Sequence, residues 1–174
     1  YILSRPDNDQ IPMLVPDKAT SNSPYYNKKL ESGKPLVFKN KWREENIEED
    51  IQELIRPILF SRSDMLVSTK IKLELEKVRN PLIAFHPSIY VDDNDKWHED
   101  YWFTTFLDDI DCWDRKTSGY YKEHENSFGQ FPVYKYVLDE KILGDTLTPK
   151  NALFRMGGTL LDHIFVHESI INIF

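Results

Sequence analysis

The strongest constraint on the fold is a long β-prone run that ends in acidic residues. Residues 97–107 are rich in aromatic and β-branched side chains, which favour strands because they pack well on a pleated, half-buried surface. Residues 82–91 read as a second strand, and the polar stretch of residues 92–95 separates the two. This pattern predicts a hairpin whose loop is longer than two residues. Pro87 predicts an edge position or a bulge, because proline cannot donate a hydrogen bond to the ladder.

The rest of the chain predicts short elements packed around this hairpin. Apolar spacing predicts a helix over residues 44–55, ending before Pro57, and a second helix over residues 69–78 with Ser68 as its N-cap. Other strands are predicted at residues 1–3, 34–39, 131–138 and 153–156, and residues 65–67 are predicted to be a brief buried segment. Residues 160–166 are predicted to be a strand or the start of a helix, a final helix is predicted from residue 167, and loops are predicted at 4–24 and 116–130. The sum is a single α+β domain over residues 1–174, with a mostly antiparallel or mixed sheet and a few packed helices.

Composition narrows the class of partner. The formal net charge of −7 argues against nucleic acid, whose phosphates require clustered lysine and arginine, and against an anionic membrane surface. It is compatible with a basic protein partner, or with solubility alone. The single cysteine, Cys112, suits a reducing compartment, and no apolar run approaches the roughly 18–20 residues that span a bilayer. We therefore predict a cytoplasmic protein.

Carboxylates crowd the segment that follows the hairpin. They are Asp108, Asp109, Asp111 and Asp114. One interpretation is a surface that docks a basic partner. The alternative is a metal-dependent enzyme in which these aspartates act with His98. Magnesium sites usually combine one or two carboxylates with a substrate phosphate, and the chain has no glycine-rich phosphate loop, so we predict no metal and no cofactor.

Other candidate chemistry is weak. Nearby carboxylates raise the pKa of a thiol, which makes Cys112 a poor nucleophile. His163 and His167 have the spacing of a zinc pair on a helix, but the glutamate that should follow the first histidine is absent. Residues 92–100 lack the glycine and the terminal glutamate of a calcium loop. We therefore predict that the chain is not an enzyme.

Tyrosine and tryptophan are preferred anchors of protein interfaces, and acids beside them would attract a basic partner. On this basis we predict a partner-binding surface made of Asp92, Asp93, Asp95, Trp97, Glu99, Asp100, Trp102, Asp108, Asp109, Asp111, Asp114, Tyr120 and Tyr121.

The order of the motifs adds a resemblance. The chain carries DMLVS at residues 64–68, the spacing of Asp111, Asp114 and Ser118, the sequence ALFR at 152–155, and IFVHES at 164–169. In this order it resembles immunity family eleven of bacterial polymorphic toxin systems, long catalogued as a domain of unknown function. The resemblance covers nearly the whole chain.

The resemblance implies a cytoplasmic, non-enzymatic protein that binds and neutralises a cognate secreted toxin, and so protects the producer and its kin. It implies no catalytic residues. An acidic inhibitor suits a basic toxin, because opposite charge speeds encounter. Two alternatives stay open: the metal-dependent enzyme described above, and an adaptor module of a complex that contains no toxin.

Overall fold

The computed structural model describes residues 1–23, 29, 33–61, 64–144 and 148–174. Its strands are β1 (Ile2–Leu3), β2 (Leu14–Pro16), β3 (Leu36–Asn40), β4 (Ile58–Ser61), β5 (Asp64–Ser68), β6 (Ile83–Val91), β7 (Trp97–Phe106), β8 (Gly119–Tyr120), β9 (Val133–Lys135), β10 (Leu153–Arg155) and β11 (Ile164–Val166). Its helices are α1 (Lys18–Ser21), α2 (Arg43–Glu48), α3 (Thr69–Val78), α4 (Glu140–Leu143) and α5 (Pro149–Ala152), with 3₁₀-helices at Lys122–His124 and Glu168–Ile173. The α+β prediction with a mixed sheet is confirmed.

The largest sheet has the order β2-β3-β6-β7-β5-β4. Every neighbouring pair in it is antiparallel except β3 and β6, which are parallel. The sheet curls until its edges meet, because an isolated bridge joins Met13, just before β2, to Phe60 in β4. A second sheet has the order β1-β11-β10, and β8 pairs with β9. The predicted hairpin is confirmed as β6 and β7, with a loop of residues 92–96.

Three apolar clusters hold these layers together. The first lies on one face of the large sheet, where the rings of Phe38 and Phe103 stack with centroids 5.5 Å apart. The second includes Ile71 and Leu75 of α3 and joins that helix to β10 and β11. These two side chains are four residues apart and therefore share one helix face. The third cluster surrounds Trp113 and links the second sheet to the segments around β8 and β9.

Two predicted segments differ from the structure. Residues 4–24, predicted as a loop, contain β2 and α1, and α1 is capped by the Asp17 carboxylate, which accepts a hydrogen bond from the N–H of Thr20 at 2.7 Å. Pro24 lies outside the described residues. The helix predicted over residues 44–55 ends at Glu48, because Asp50 adopts a positive φ of 54° that interrupts a right-handed helix.

Smaller differences concern strand limits and caps. Ser68 occupies the N-cap position of α3, but its side chain makes no capping hydrogen bond. The pairing of β6 with β3 begins only at Ser88, so Pro87 lies where β6 has one hydrogen-bonded neighbour, and a register shift follows between Ser88 and Tyr90. The strand predicted over residues 131–138 is shorter in the structure and corresponds to β9. The predicted loop of residues 116–130 contains β8 and a 3₁₀-helix. The final helix is a 3₁₀-helix rather than an α-helix.

Candidate partner-binding surface

The structure divides the predicted acidic residues into two groups at opposite ends of β7. Asp92, Asp93 and Asp95 lie in the turn before this strand, and the aspartates from Asp108 to Asp114 follow it. Because β7 has ten residues, roughly 30 Å separate its two ends. The predicted residues therefore do not form one continuous patch.

In the turn, the Asp93 carboxylate faces inwards. The residue is 8% exposed, and its Oδ2 accepts hydrogen bonds from Nδ2 of Asn40 at 3.1 Å and from Nδ2 of Asn46 at 2.8 Å. Its backbone N–H donates to Oε2 of Glu53 at 2.8 Å, and Glu53 also accepts from the hydroxyl of Tyr90. Burial raises the pKa of Glu53. This network ties the turn to α2 and to the segment that follows it.

Asp92 also serves the turn rather than the surface. Its Oδ1 accepts from the N–H groups of Asn94 at 3.0 Å and Lys96 at 2.9 Å, and its Oδ2 lies 2.9 Å from Nε2 of His98. Burial opposes ionisation of Asp92, but these hydrogen bonds outweigh it and lower the pKa of the carboxyl. His98 therefore contacts Asp92 at the start of β7. The aspartates with which it was predicted to bind a metal follow the other end of this strand.

The accessible part of this end consists of four predicted residues. Asp95 pairs with Arg43 across 2.7 Å at the surface, and Trp97 is 57% exposed. Glu99 and Asp100 are both exposed. Trp102, by contrast, is half-buried beneath α3, where its Nε1 donates to Oγ1 of Thr69 at 3.0 Å.

At the other end, Asp109 belongs to a buried ion pair network. Arg155 lies in β10, where its Nε donates to Oδ1 of Asp109 at 2.6 Å and its Nη1 donates to Oδ1 of Asp64 at 3.2 Å. Arg155 and Asp64 are both buried. Burial raises the pKa of Asp64 to about 6, although the charge of Arg155 opposes this shift. The ion pair of Arg155 in β10 with Asp64 in β5 therefore connects the second sheet to the large one.

Asp111 and Asp114 shape the segment between the sheets. Both carboxylate oxygens of Asp111 accept from the guanidinium of Arg115, at 2.6 and 2.5 Å, and this guanidinium lies 4.2 Å from the ring centroid of Trp113. Gly158 has a φ of 69°, which favours glycine, and a Cβ there would lie 2.7 Å from both Asp111 and Arg115, so a larger residue would displace this ion pair.

Asp114 and Asp108 complete this group. The carboxylate of Asp114 accepts from Oγ1 of Thr117 at 2.6 Å and from the N–H of Lys116 at 2.8 Å, and these bonds lower its pKa. Asp108 is exposed, and its carboxylate accepts from the N–H of Asp109 at 2.9 Å. Asp108 and Asp111 are therefore both exposed members of this group.

No metal-binding arrangement occurs in the described part of the chain, where no three or more His, Cys, Asp or Glu side chains are placed to hold an ion. Cys112 is fully buried, its Sγ lies 4.0 Å from Sδ of Met156, and burial raises the pKa of the thiol to about 12. His163 and His167 lie on either side of β11 rather than on one helix face.

The predicted tyrosines have different environments. Tyr120 is half-buried, with its ring 4.9 Å from that of Trp113 and 5.2 Å from that of Phe131. Tyr121 is exposed, and its ring lies 5.2 Å from Tyr134 and 5.7 Å from His124.

Three exposed side chains in the hairpin of β8 and β9, or in the loop that joins these strands, were not predicted from the sequence. They are His124, Phe128 and Tyr134. Phe128 is 85% exposed, the highest fraction among the large apolar residues in the described part of the chain. We call Tyr121, His124, Phe128 and Tyr134 the aromatic lobe.

Tyrosine and tryptophan are enriched among the residues that dominate the affinity of protein–protein interfaces. The sequence model of an immunity protein family, Imm11, matches residues 9–171, and the chain belongs to this family. Membership in this family suggests a toxin-neutralising role, and proteins of the family are generally non-enzymatic. A comparison with curated proteins found no match. Within the described residues, no helix is both long and apolar enough to cross a bilayer.

Proposed function

We propose that this chain neutralises a cognate secreted protein toxin by binding it directly in the cytoplasm, protecting the producer and its kin. The match to an immunity family over residues 9–171 carries the proposal. The partner is a protein, and neither nucleic acid nor a membrane takes part. No catalytic step is needed, because an inhibitor acts by occupying its target.

Tight and fast binding is the physical requirement. An immunity protein must compete with the substrate of a lethal enzyme, which calls for a dissociation constant of about 1 nM or below, or about −12 kcal/mol. The net charge of −7 supports a basic toxin, since opposite charges accelerate the encounter.

The accessible residues of the predicted set are the candidates for contact. At the turn they are Asp95, Trp97, Glu99 and Asp100, and at the other end they are Asp108, Asp111, Asp114 and Tyr121. Asp92, Asp93, Asp109, Trp102 and Tyr120 support these surfaces from below. A protein–protein interface of ordinary size buries about 800 Å² on each partner.

Co-expression with the protein encoded by the adjacent gene tests the function. We expect the neighbour alone to arrest growth, and this chain to restore growth and to co-purify with it in a fixed ratio. A harmless neighbour, or one that does not bind, would overturn the proposal. Stoichiometric metal and hydrolytic activity in the purified chain would then favour the enzyme alternative, and a stable non-toxic partner would favour the adaptor.

Charge reversal identifies the end that binds. Asp108→Lys and the pair Glu99→Lys with Asp100→Lys each change one end, and none of these side chains forms a buried ion pair in the structure. We expect one of the two variants to lower affinity for the toxin at least tenfold with an unchanged melting temperature. Reversal at Asp109 or Asp111 would be a poorer test, because it would also disrupt the pairs with Arg155 and Arg115.

A further inference from the structure

The turn at residues 126–130 holds Phe128 in a fixed, outward position. Oδ1 of Asn126 accepts from the N–H groups of Phe128 at 2.9 Å and Gln130 at 3.0 Å, and Nδ2 of Asn126 donates to Oε1 of Gln130 at 2.8 Å. Two backbone hydrogen bonds close the turn, and Gly129 supplies the positive φ of 73° that it needs. Phe128 stands at the apex of this turn with 85% of its surface exposed.

The remainder of the aromatic lobe is anchored to the core. The ring of Tyr134 covers Gly119 so closely that a Cβ at residue 119 would overlap it. Tyr120, the neighbour of Tyr121, packs against Trp113 in the third apolar cluster. The lobe is therefore a preorganised surface rather than a loose loop, and ordering it on binding costs little entropy.

When a partner covers an exposed phenylalanine at a rigid apex, the burial of its ring stabilises the complex. Full burial of such a side chain removes a large apolar area from water and therefore favours association. Buried aromatic anchors in well-packed pockets supply much of the affinity of protein interfaces. Phe128 meets these conditions better than Trp97, which is 57% exposed.

Charge around the apex indicates the chemistry of the partner. Oε1 of Glu125 lies 3.7 Å from the position that a Cβ would take at Gly129, directly beside Phe128. Glu123 is exposed in the preceding 3₁₀-helix, while Nζ of Lys122 is held 5.7 Å from the ring centroid of Tyr120. The carboxylate of Glu125 thus lies beside the apex, and a basic group on the partner would complement it.

We infer that the aromatic lobe is the docking surface for the toxin, which presents an apolar pocket for Phe128 bordered by lysine or arginine. This inference rests on the proposed function and specifies its interface. It assigns contact roles to Phe128, Tyr134 and His124, and retains Tyr121 from the predicted set.

The test uses Phe128→Ala and a matched control, Leu73→Ala. Leu73 is 52% exposed on α3, so the control removes a similar exposed apolar side chain from a different face. Both variants should keep the wild-type melting temperature. We expect Phe128→Ala to weaken binding of the purified neighbour-encoded toxin at least tenfold and to abolish protection at limiting expression. Leu73→Ala should stay within threefold of wild type.

A second variant tests the charge. Glu125→Lys should slow association with the toxin severalfold, and the difference from wild type should shrink as salt is raised, because salt screens exposed charges. An unchanged association rate would contradict the inference that the toxin presents lysine or arginine around Phe128.

The outcomes separate the two proposals. If wild type protects and binds but Phe128→Ala does so equally, the docking surface is rejected while the function stands. If wild type neither binds nor protects, both are rejected. A wild-type dimer that Phe128→Ala dissociates, with toxin binding unchanged, would assign the lobe to self-association and overturn the inference.

Discussion

The two ends of β7 carry similar densities of aspartate and use them differently. At the turn, neutral amides of Asn40 and Asn46 surround Asp93. At the other end, the guanidinium of Arg155 bridges Asp109 and Asp64. The first end stabilises a carboxylate through dipoles, and the second through an opposite charge. The role of an acidic residue is therefore set by the groups that the fold brings to it, and not by the number of acids around it in sequence.

The largest expected effect is at the guanidinium end. Arg155→Met removes the countercharge of a buried carboxylate, and breaking such a pair costs about 3–5 kcal/mol. Urea unfolding measures the change. The double variant Asp64→Asn with Arg155→Met is the control and should recover part of the loss, since it leaves no buried charge at residue 64. A loss below about 1 kcal/mol in the single variant would show that this end does not depend on the pair.

Substitutions at the turn, where amides surround Asp93, should lower the unfolding free energy by a smaller amount. Asp93→Ala leaves the side-chain amides of two buried asparagines, Asn40 and Asn46, without this acceptor, at a cost of about 2–3 kcal/mol in unfolding free energy. Asp93→Asn keeps one oxygen as an acceptor and is the matched control, with an expected cost of about 1 kcal/mol. Equal losses in the two variants would mean that the charge, and not the acceptor, stabilises this end.

The third expected effect concerns how the stability contributed by Asp64 depends on pH. Its pKa is about 6 in the folded chain against an ordinary value of 3.8, so the stability it contributes is fully present below about pH 4 and is lost as pH rises through 6. Relative to Asp64→Asn, the wild type should lose roughly 2 kcal/mol of unfolding free energy between pH 4 and pH 7. Urea unfolding across this range measures the difference, and parallel curves for the two proteins would contradict the raised pKa.

The smallest effect is expected at the solvent-facing pair of Asp95 and Arg43. Asp95→Asn should change the unfolding free energy by less than about 0.5 kcal/mol, because exposed ion pairs contribute little. Asparagine also tolerates the φ of 61° at this position. Thermal unfolding at low and high salt measures the change. A loss above about 1 kcal/mol would show that the turn depends on this pair as well as on Asp93.

Local patterns predicted the parts of the fold that local forces determine. The hairpin and α3 follow from β-propensity and from apolar side chains at helical spacing. The spacing that predicted a helix over residues 44–55 was misleading, because Ile47 is exposed and Asp50 turns the chain away. Propensity carries no information about the bond from Tyr90 to Glu53, which holds the segment after α2 against the sheet.

The candidate site was harder to predict, because burial of polar residues depends on distant partners. Asn40 is 53 residues from Asp93 in sequence, and Arg155 is 91 residues from Asp64. The aromatic lobe was only partly predicted. The sequence predicted that Tyr121 is exposed, but it gave no signal for Phe128, which lies in a segment predicted to be a loop.

The burial of Cys112 has a practical consequence for mapping the complex. The chain contains one cysteine, and its thiol is enclosed beside Met156 with a pKa of about 12, so thiol reagents should not label the native protein. A thiol introduced by Phe128→Cys or Asp108→Cys would then be the one reactive thiol of the folded chain. Photo-crosslinkers attached at those two positions can report which face meets the partner, with the native cysteine left in place.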